Sequence, residues 1–138
     1  MSAEQRFGPN TPAIERVLAQ IESATPEQVA ALGDAWRSQH EAESAGSLGA
    51  AFGAARAVLI ATARESTFAA AWGAAHGAAR SGSLGDYPTS SWFAARDALL
   101  ALFVVHLVGE LGLTREHVET LMGPYSSVFT DPREVVAA

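Results

Sequence analysis

The sequence predicts an all-α protein: a single-domain bundle of five or six helices around a central hydrophobic helix at about residues 92–112. Three observations carry this expectation. Apolar residues recur at three- and four-residue spacing over most of the chain, and no stretch alternates β-branched with polar residues long enough to suggest a strand. Helix start and stop residues punctuate the chain between these segments. The length of 138 residues suits one domain, and a hydrophobic content of 49% is enough to build a core.

Residues 1–10 read as a flexible lead-in, 11–129 as the helical domain and 130–138 as a tail. Thr11-Pro12 reads as an N-cap followed by proline at the first helical position, opening a helix over about 12–23 that carries Ile14, Val17, Leu18 and Ile21 on one face. Thr25-Pro26-Glu27-Gln28 is a capping box with proline in the first turn, and its helix runs through Val29, Leu32 and Trp36 to about Glu43. Ala45 to Gly49 break the pattern.

From Ala50 to Arg80 alanine dominates and helix propensity is high throughout; the stretch reads either as one helix or as two divided at Glu65-Ser66-Thr67. Gly49, Gly53 and Ala57, then Gly73 and Gly77, follow a small-xxx-small rhythm. Glycine costs about 1 kcal/mol in a helix interior, so this rhythm points to close helix–helix approach. Ser81 to Pro88 reads as a loop, and Thr89, Ser90 or Ser91 as the cap of the central helix, which stops at Gly112. Thr114 opens a last short helix that ends at the stop signal Gly123-Pro124.

Composition excludes several function classes. The nine basic residues are all arginine and the net charge is −6, with no arginine run to form the basic face that nucleic acid requires. With no cysteine there is no disulfide, thiolate metal site or cysteine nucleophile. The 29 alanines, with glycine and arginine in excess, reflect a GC-rich genome of the bacterial kind. The first residues, MSAEQRFGPN, do not resemble a secretory signal, and the longest apolar run, Ala98 to Val105, is eight residues. A bilayer span needs about 20, so a cytoplasmic protein with no membrane contact is expected.

Candidate site residues come from two helices. On a helical wheel of residues 92–112, Arg96, His106 and Glu110 fall on one stripe with Trp92, Leu99 and Phe103, within about 80° of arc. His106 and Glu110 at i, i+4 are positioned to hydrogen-bond along that helix, which raises a histidine's pKa. The stripe reads as a solvent-facing edge, or as a groove or partner surface. Asp97 falls in the apolar arc and needs a cation, for which Arg64, Arg56 and Arg80 are the candidates on the Ala-rich segment; the pair Asp97–Arg64 is expected as a buried tether.

Trp72, His76 and Arg80 form a second stripe at i, i+4, i+8. Trp36 and His40 repeat that spacing, which alone implies nothing. No Glu-x-x-His or His-Glu-x-x-His is present, since the residues three before the four histidines are Arg37, Gly73, Phe103 and Thr114. No metal or cofactor is expected, and no catalytic constellation is visible. The leading expectation is a non-catalytic interaction or adaptor protein that pairs with itself as a homodimer, or with another protein. The alternative is a small-molecule-binding bundle, or an enzyme built on one, whose pocket is lined by Trp72, His76, Trp92, Arg96, Phe103, His106 and Glu110.

Overall fold

The structure is a computed structural model that describes residues 6–42, 46–81, 89–130 and 132–133. Six α-helices follow in order: α1 (Thr11–Ser23), α2 (Pro26–Ala42), α3 (Gly46–Ala61), α4 (Glu65–Ser81), α5 (Thr89–Val104) and α6 (Arg115–Ser126). Two short 3₁₀ turns, Val105–Leu107 and Glu110–Gly112, join α5 to α6. No strand occurs among the described residues, so the all-α bundle is as the sequence predicts. The expected loop at 82–88 lies outside the described residues.

Eight consecutive residues of α5, Asp97 to Val104, are buried. A helix apolar on every side belongs inside its bundle, and α5 touches each of the other five helices. Ala94, Ala95, Ala98 and Ala101 keep its girth small and let those neighbours come near. The stretch Ser90–Leu107 has a mean hydropathy of 1.3 over 18 residues, long and apolar enough by composition to cross a bilayer. That is more than its longest uninterrupted apolar run suggests. Here 67% of it is buried within the protein.

The central helix ends at Val104, eight residues before the expected stop at Gly112. Val104 and Val105 are β-branched neighbours, which helices tolerate less well. Beyond them Gly109 (φ +104°) and Gly112 (φ +82°) take left-handed backbone, and so does Leu111 (φ +49°). The reversal is closed by the Gly109 amide donating to Leu113 O at 2.8 Å. The end of α5 is sealed from the opposite terminus. Asn10 Nδ2 donates to Leu102 O at 2.8 Å, satisfying a last-turn carbonyl. Phe7 is buried, edge-on to Phe103, and its amide donates to Thr11 Oγ1. Within the segment read as a lead-in, therefore, Phe7 belongs to the core and Asn10 is tied to α5; residues 1–5 lie outside the described residues. At the other end, Pro132 is buried and Arg133 pairs with Glu119, while the rest of the tail after Thr130 is likewise not described.

The capping box forms as read: Thr25 N donates to Gln28 Oε1 at 2.9 Å, and Gln28 N to Thr25 Oγ1 at 3.1 Å. Thr11, read as a cap, instead sits inside α1 with its hydroxyl donating to Gly8 O. The Ala-rich segment is two helices, divided at residues 62–64 where Ala63 takes φ +58°. Ser90 and Ser91 lie within α5 rather than before it. Ser91 Oγ donates to Val29 O, and Ser90 Oγ accepts from Arg37 Nη1. Gly123-Pro124 does not stop α6, which runs on to Ser126. Pro124 has no N–H to offer Thr120 O, and Gln39 Nε2 donates to that carbonyl instead, at 2.9 Å.

Close helix approach occurs at glycines other than those expected. A Cβ on Gly33 would lie 2.6 Å from Ser91 Oγ and 2.8 Å from Ser90 Oγ, so α2 and α5 meet there at backbone distance. Gly49, Gly53, Gly73 and Gly77 are exposed, and a Cβ on any of them would meet nothing within 4 Å. Gly33→Ala is therefore expected to destabilise the protein by about 1–3 kcal/mol through overpacking. Gly73→Ala is expected to stabilise it by up to about 1 kcal/mol through helix propensity. Urea denaturation of the two variants checks both signs.

Candidate functional site

The polar residues of α5 meet α2 and α3 around a small cavity. Asp97 is 1% exposed, yet none of its side-chain atoms lacks a partner. Trp36 of α2 donates its indole Nε1–H to Asp97 Oδ2 at 3.0 Å. Arg96 donates Nε and Nη2 to Asp97 Oδ1, at 3.0 and 2.9 Å. The guanidinium does not form the two-oxygen fork usual for arginine and carboxylate: both of its donors go to Oδ1, and Trp36 donates to Oδ2. Arg96 is held in turn by two rings: its guanidinium carbon lies 4.3 Å from the centroid of Phe52 (α3) and 4.6 Å from that of Phe93.

Trp36 extends the aromatic wall. Its ring stacks on His40 with centroids 5.0 Å apart and 11° between planes, and it tilts against Phe93 at 5.0 Å. Trp36, His40, Leu48, Gly49, Phe52, Arg96 and Asp97 enclose a cavity of about 170 Å³. A wider, more open depression of about 380 Å³ lies over Phe7, between Arg6 and the first turns of α4. It has no buried charged group, so the α2–α3–α5 cavity is the better candidate site.

Burial pushes the Asp97 carboxyl above its ordinary value of 3.8, against the downward pull of the Arg96 charge and the two hydrogen bonds. Arg96 is 26% exposed at its side chain, so water weakens its hold on the buried charge. The cluster ties α2, α3 and α5 together, and it leaves a cation and aromatic faces lining the cavity.

The sequence-predicted residues do not converge on one site. Asp97 is buried as expected, but its ionic partner is Arg96 and not Arg64. The turn at 62–64 carries Arg64 to the far end of α5, where its Nη1 lies over Gly8 and its charge acts on His106. Trp72, His76 and Trp92 form a cluster of their own: His76 stacks on Trp92 at 4.5 Å and 16°, and Trp72 meets Trp92 edge-on at 5.3 Å. Arg80 lies in the last turn of α4, and its side chain is outside the described residues.

Phe103 packs in the core against Phe7 and Phe68 and lines neither of the two cavities described above. His106 and Glu110 are both exposed and lie beyond the end of α5, in separate 3₁₀ turns. The shared helical stripe therefore does not exist, because the helix that would carry it ends first. His106 moves opposite to the expected direction: desolvation of its inner side, then the Arg64 charge, hold it below 6.5.

Trp36, His40 and Phe52 were not among the expected site residues. The repeated aromatic–histidine spacing was their one signal: at Trp36/His40 and at Trp72/His76 the rings meet across one turn. Among the described residues, no group of three or more histidine, aspartate or glutamate side chains is placed to hold a metal ion. Comparison with family models, curated proteins and solved structures finds no match.

Asp97→Ala leaves the Trp36 indole without an acceptor and Arg96 without a counter-charge, and is expected to cost about 3 kcal/mol. Because the Asp97 pKa is raised on folding, its contribution to stability is full below the unfolded value of 3.8 and is lost as pH rises through the folded-state value. The stability of the wild type relative to Asp97→Asn, which cannot ionise, is therefore expected to fall from acidic to neutral pH. Urea melts of both proteins across that range check the sign.

Proposed function

We propose that the protein is a non-catalytic helical interaction protein that pairs with a second copy of itself through the outward face of α3. The supporting observation is a mismatch between composition and exposure. α3 (GSLGAAFGAARAVLIA) has a single charged residue, Arg56, in 16 positions. A helix so apolar normally lies inside a protein. Yet Gly49, Ala50, Gly53, Ala57 and Ile60 are exposed, with Ile60 at 47%.

The small side chains give the face its fit. Open space above Gly49 and Gly53 lets another helix approach to backbone distance, and the same face on a second copy offers the same space. The turn Glu110–Gly112 packs on α3 and presents Leu111, 64% exposed, beside Val108 at 36%. Two chains that each carry a net charge of −6 pair best on a face without acidic groups, and α3, whose one charged residue is the exposed Arg56, provides one. The same acidity disfavours nucleic acid as the partner.

Light scattering coupled to size exclusion at micromolar concentration tests this reading, with a dimer expected for the wild type. Gly53→Glu is expected to give a monomer that is as helical and at least as stable, since the new side chain enters open space and glutamate favours helix over glycine by about 0.5–1 kcal/mol. Gly73→Glu, on the outer face of α4, is expected to remain a dimer. A monomeric wild type removes the self-association, and a dimer that survives Gly53→Glu removes the α3 face.

A further inference from the structure

We propose that the cavity between α2, α3 and α5 binds a small organic carboxylate, with Arg96 holding the anionic head and the Trp36 and Phe52 rings flanking an apolar, planar body. The argument starts from what the cavity can offer a ligand. Asp97 is closed to one: it is buried, with both oxygens occupied by Trp36 and Arg96. Arg96 has spent Nε and Nη2 on Asp97, and its Nη1 has no partner among the described residues. It lines the cavity and is 26% exposed at its side chain. The group presented is therefore a donor of positive charge, not an acceptor.

That donor is already oriented. Arg96 lies over the Phe52 and Phe93 rings, and Asp97 grips one edge of its guanidinium, so a ligand binding the remaining N–H groups meets little of the rotamer entropy that a free arginine would lose. Besides Arg96 and the buried Asp97, the lining is Trp36, His40, Leu48, Gly49 and Phe52, which suits a flat apolar body. The volume sets its size: about 170 Å³ lies below the roughly 300 Å³ at which pockets for drug-sized ligands begin. A single ring or a short branched chain fits. The site shares Gly49 with the α3 face, so a variant on that face remote from the cavity separates the two.

Sodium benzoate is a probe of the right size and charge, and the Trp36 indole N–H is the reporter, because it lies on the cavity wall and is bonded to Asp97. In ¹H–¹⁵N spectra of the full chain, with the Trp36 resonance assigned through Trp36→Phe, titration is expected to give a saturating shift at Trp36 and none at the indoles of Trp72 and Trp92. Benzyl alcohol, which keeps the ring and lacks the charge, is expected to bind at least about tenfold more weakly, the worth of one charge-assisted hydrogen bond.

His40→Glu, at an exposed position on the cavity wall, replaces the ring stacked on Trp36 with a negative charge, and is expected to weaken benzoate about tenfold or more relative to His40→Gln, which loses the same ring without adding charge. Ile60→Glu, on the α3 face two turns beyond Phe52, is expected to bind benzoate like the wild type, which separates this result from the oligomeric state. No saturating shift at Trp36, equal binding of benzyl alcohol or benzylammonium, or equal binding in His40→Glu and His40→Gln each overturns the proposal.

Discussion

The fold depends on α5 being buried on every side. From Asp97 to Val104 no residue faces water, so the other five helices must pack around this one segment. Four alanines let them approach, while Leu99, Leu100, Leu102 and Phe103 fill the space between. Full burial of one such large apolar side chain is worth about 1.5–3 kcal/mol, and these four lie on different sides of the helix. No single neighbour could cover them.

Such burial has a polar cost at both ends. At the C-terminal end the helix stops, and Asn10 reaches across to bond the carbonyl of Leu102. Near the N-terminal end Ser91 and Asp97 are inside, and α2 meets them along one seam: Val29 O accepts from Ser91, Gly33 gives way to both serine side chains, and Trp36 donates to Asp97. Arg96 completes the seam from α5 itself. The candidate site is the mouth of this seam, where satisfying a buried carboxylate leaves aromatic surface and one cation around a cavity.

The helices were legible in the sequence where local chemistry decides structure. The Thr25–Gln28 box, the apolar stripe of α1 and the apolar run of α5 all appear in place. Tertiary contacts decided where the reading failed. Pro124 stays within α6 because Gln39 serves the carbonyl that proline cannot, and that partner is 85 positions away in the chain. The end of α5 was legible in part, through the Val104-Val105 pair and Gly109, but apolar periodicity outweighed these in the reading. Carrying the wheel past Val104 produced the false stripe of Arg96, His106 and Glu110. The site was legible at Asp97, whose misfit in an apolar arc marked it, and at Arg96, though as part of a stripe that does not form; their partners on α2 and α3 depended on which helices pack together, and spacing within one helix does not encode that.

Native-state hydrogen exchange tests the central position of α5 most directly. The amides of Ala98 to Val104 are expected to exchange only through unfolding of the whole molecule, with the free energy that urea melts give, while those of the 3₁₀ turns at 105–112 exchange much faster through local opening. Amides of α5 opening at lower free energy than those of α1 or α4 would contradict the account, because they would mark α5 as an attached element and not the one around which the others pack.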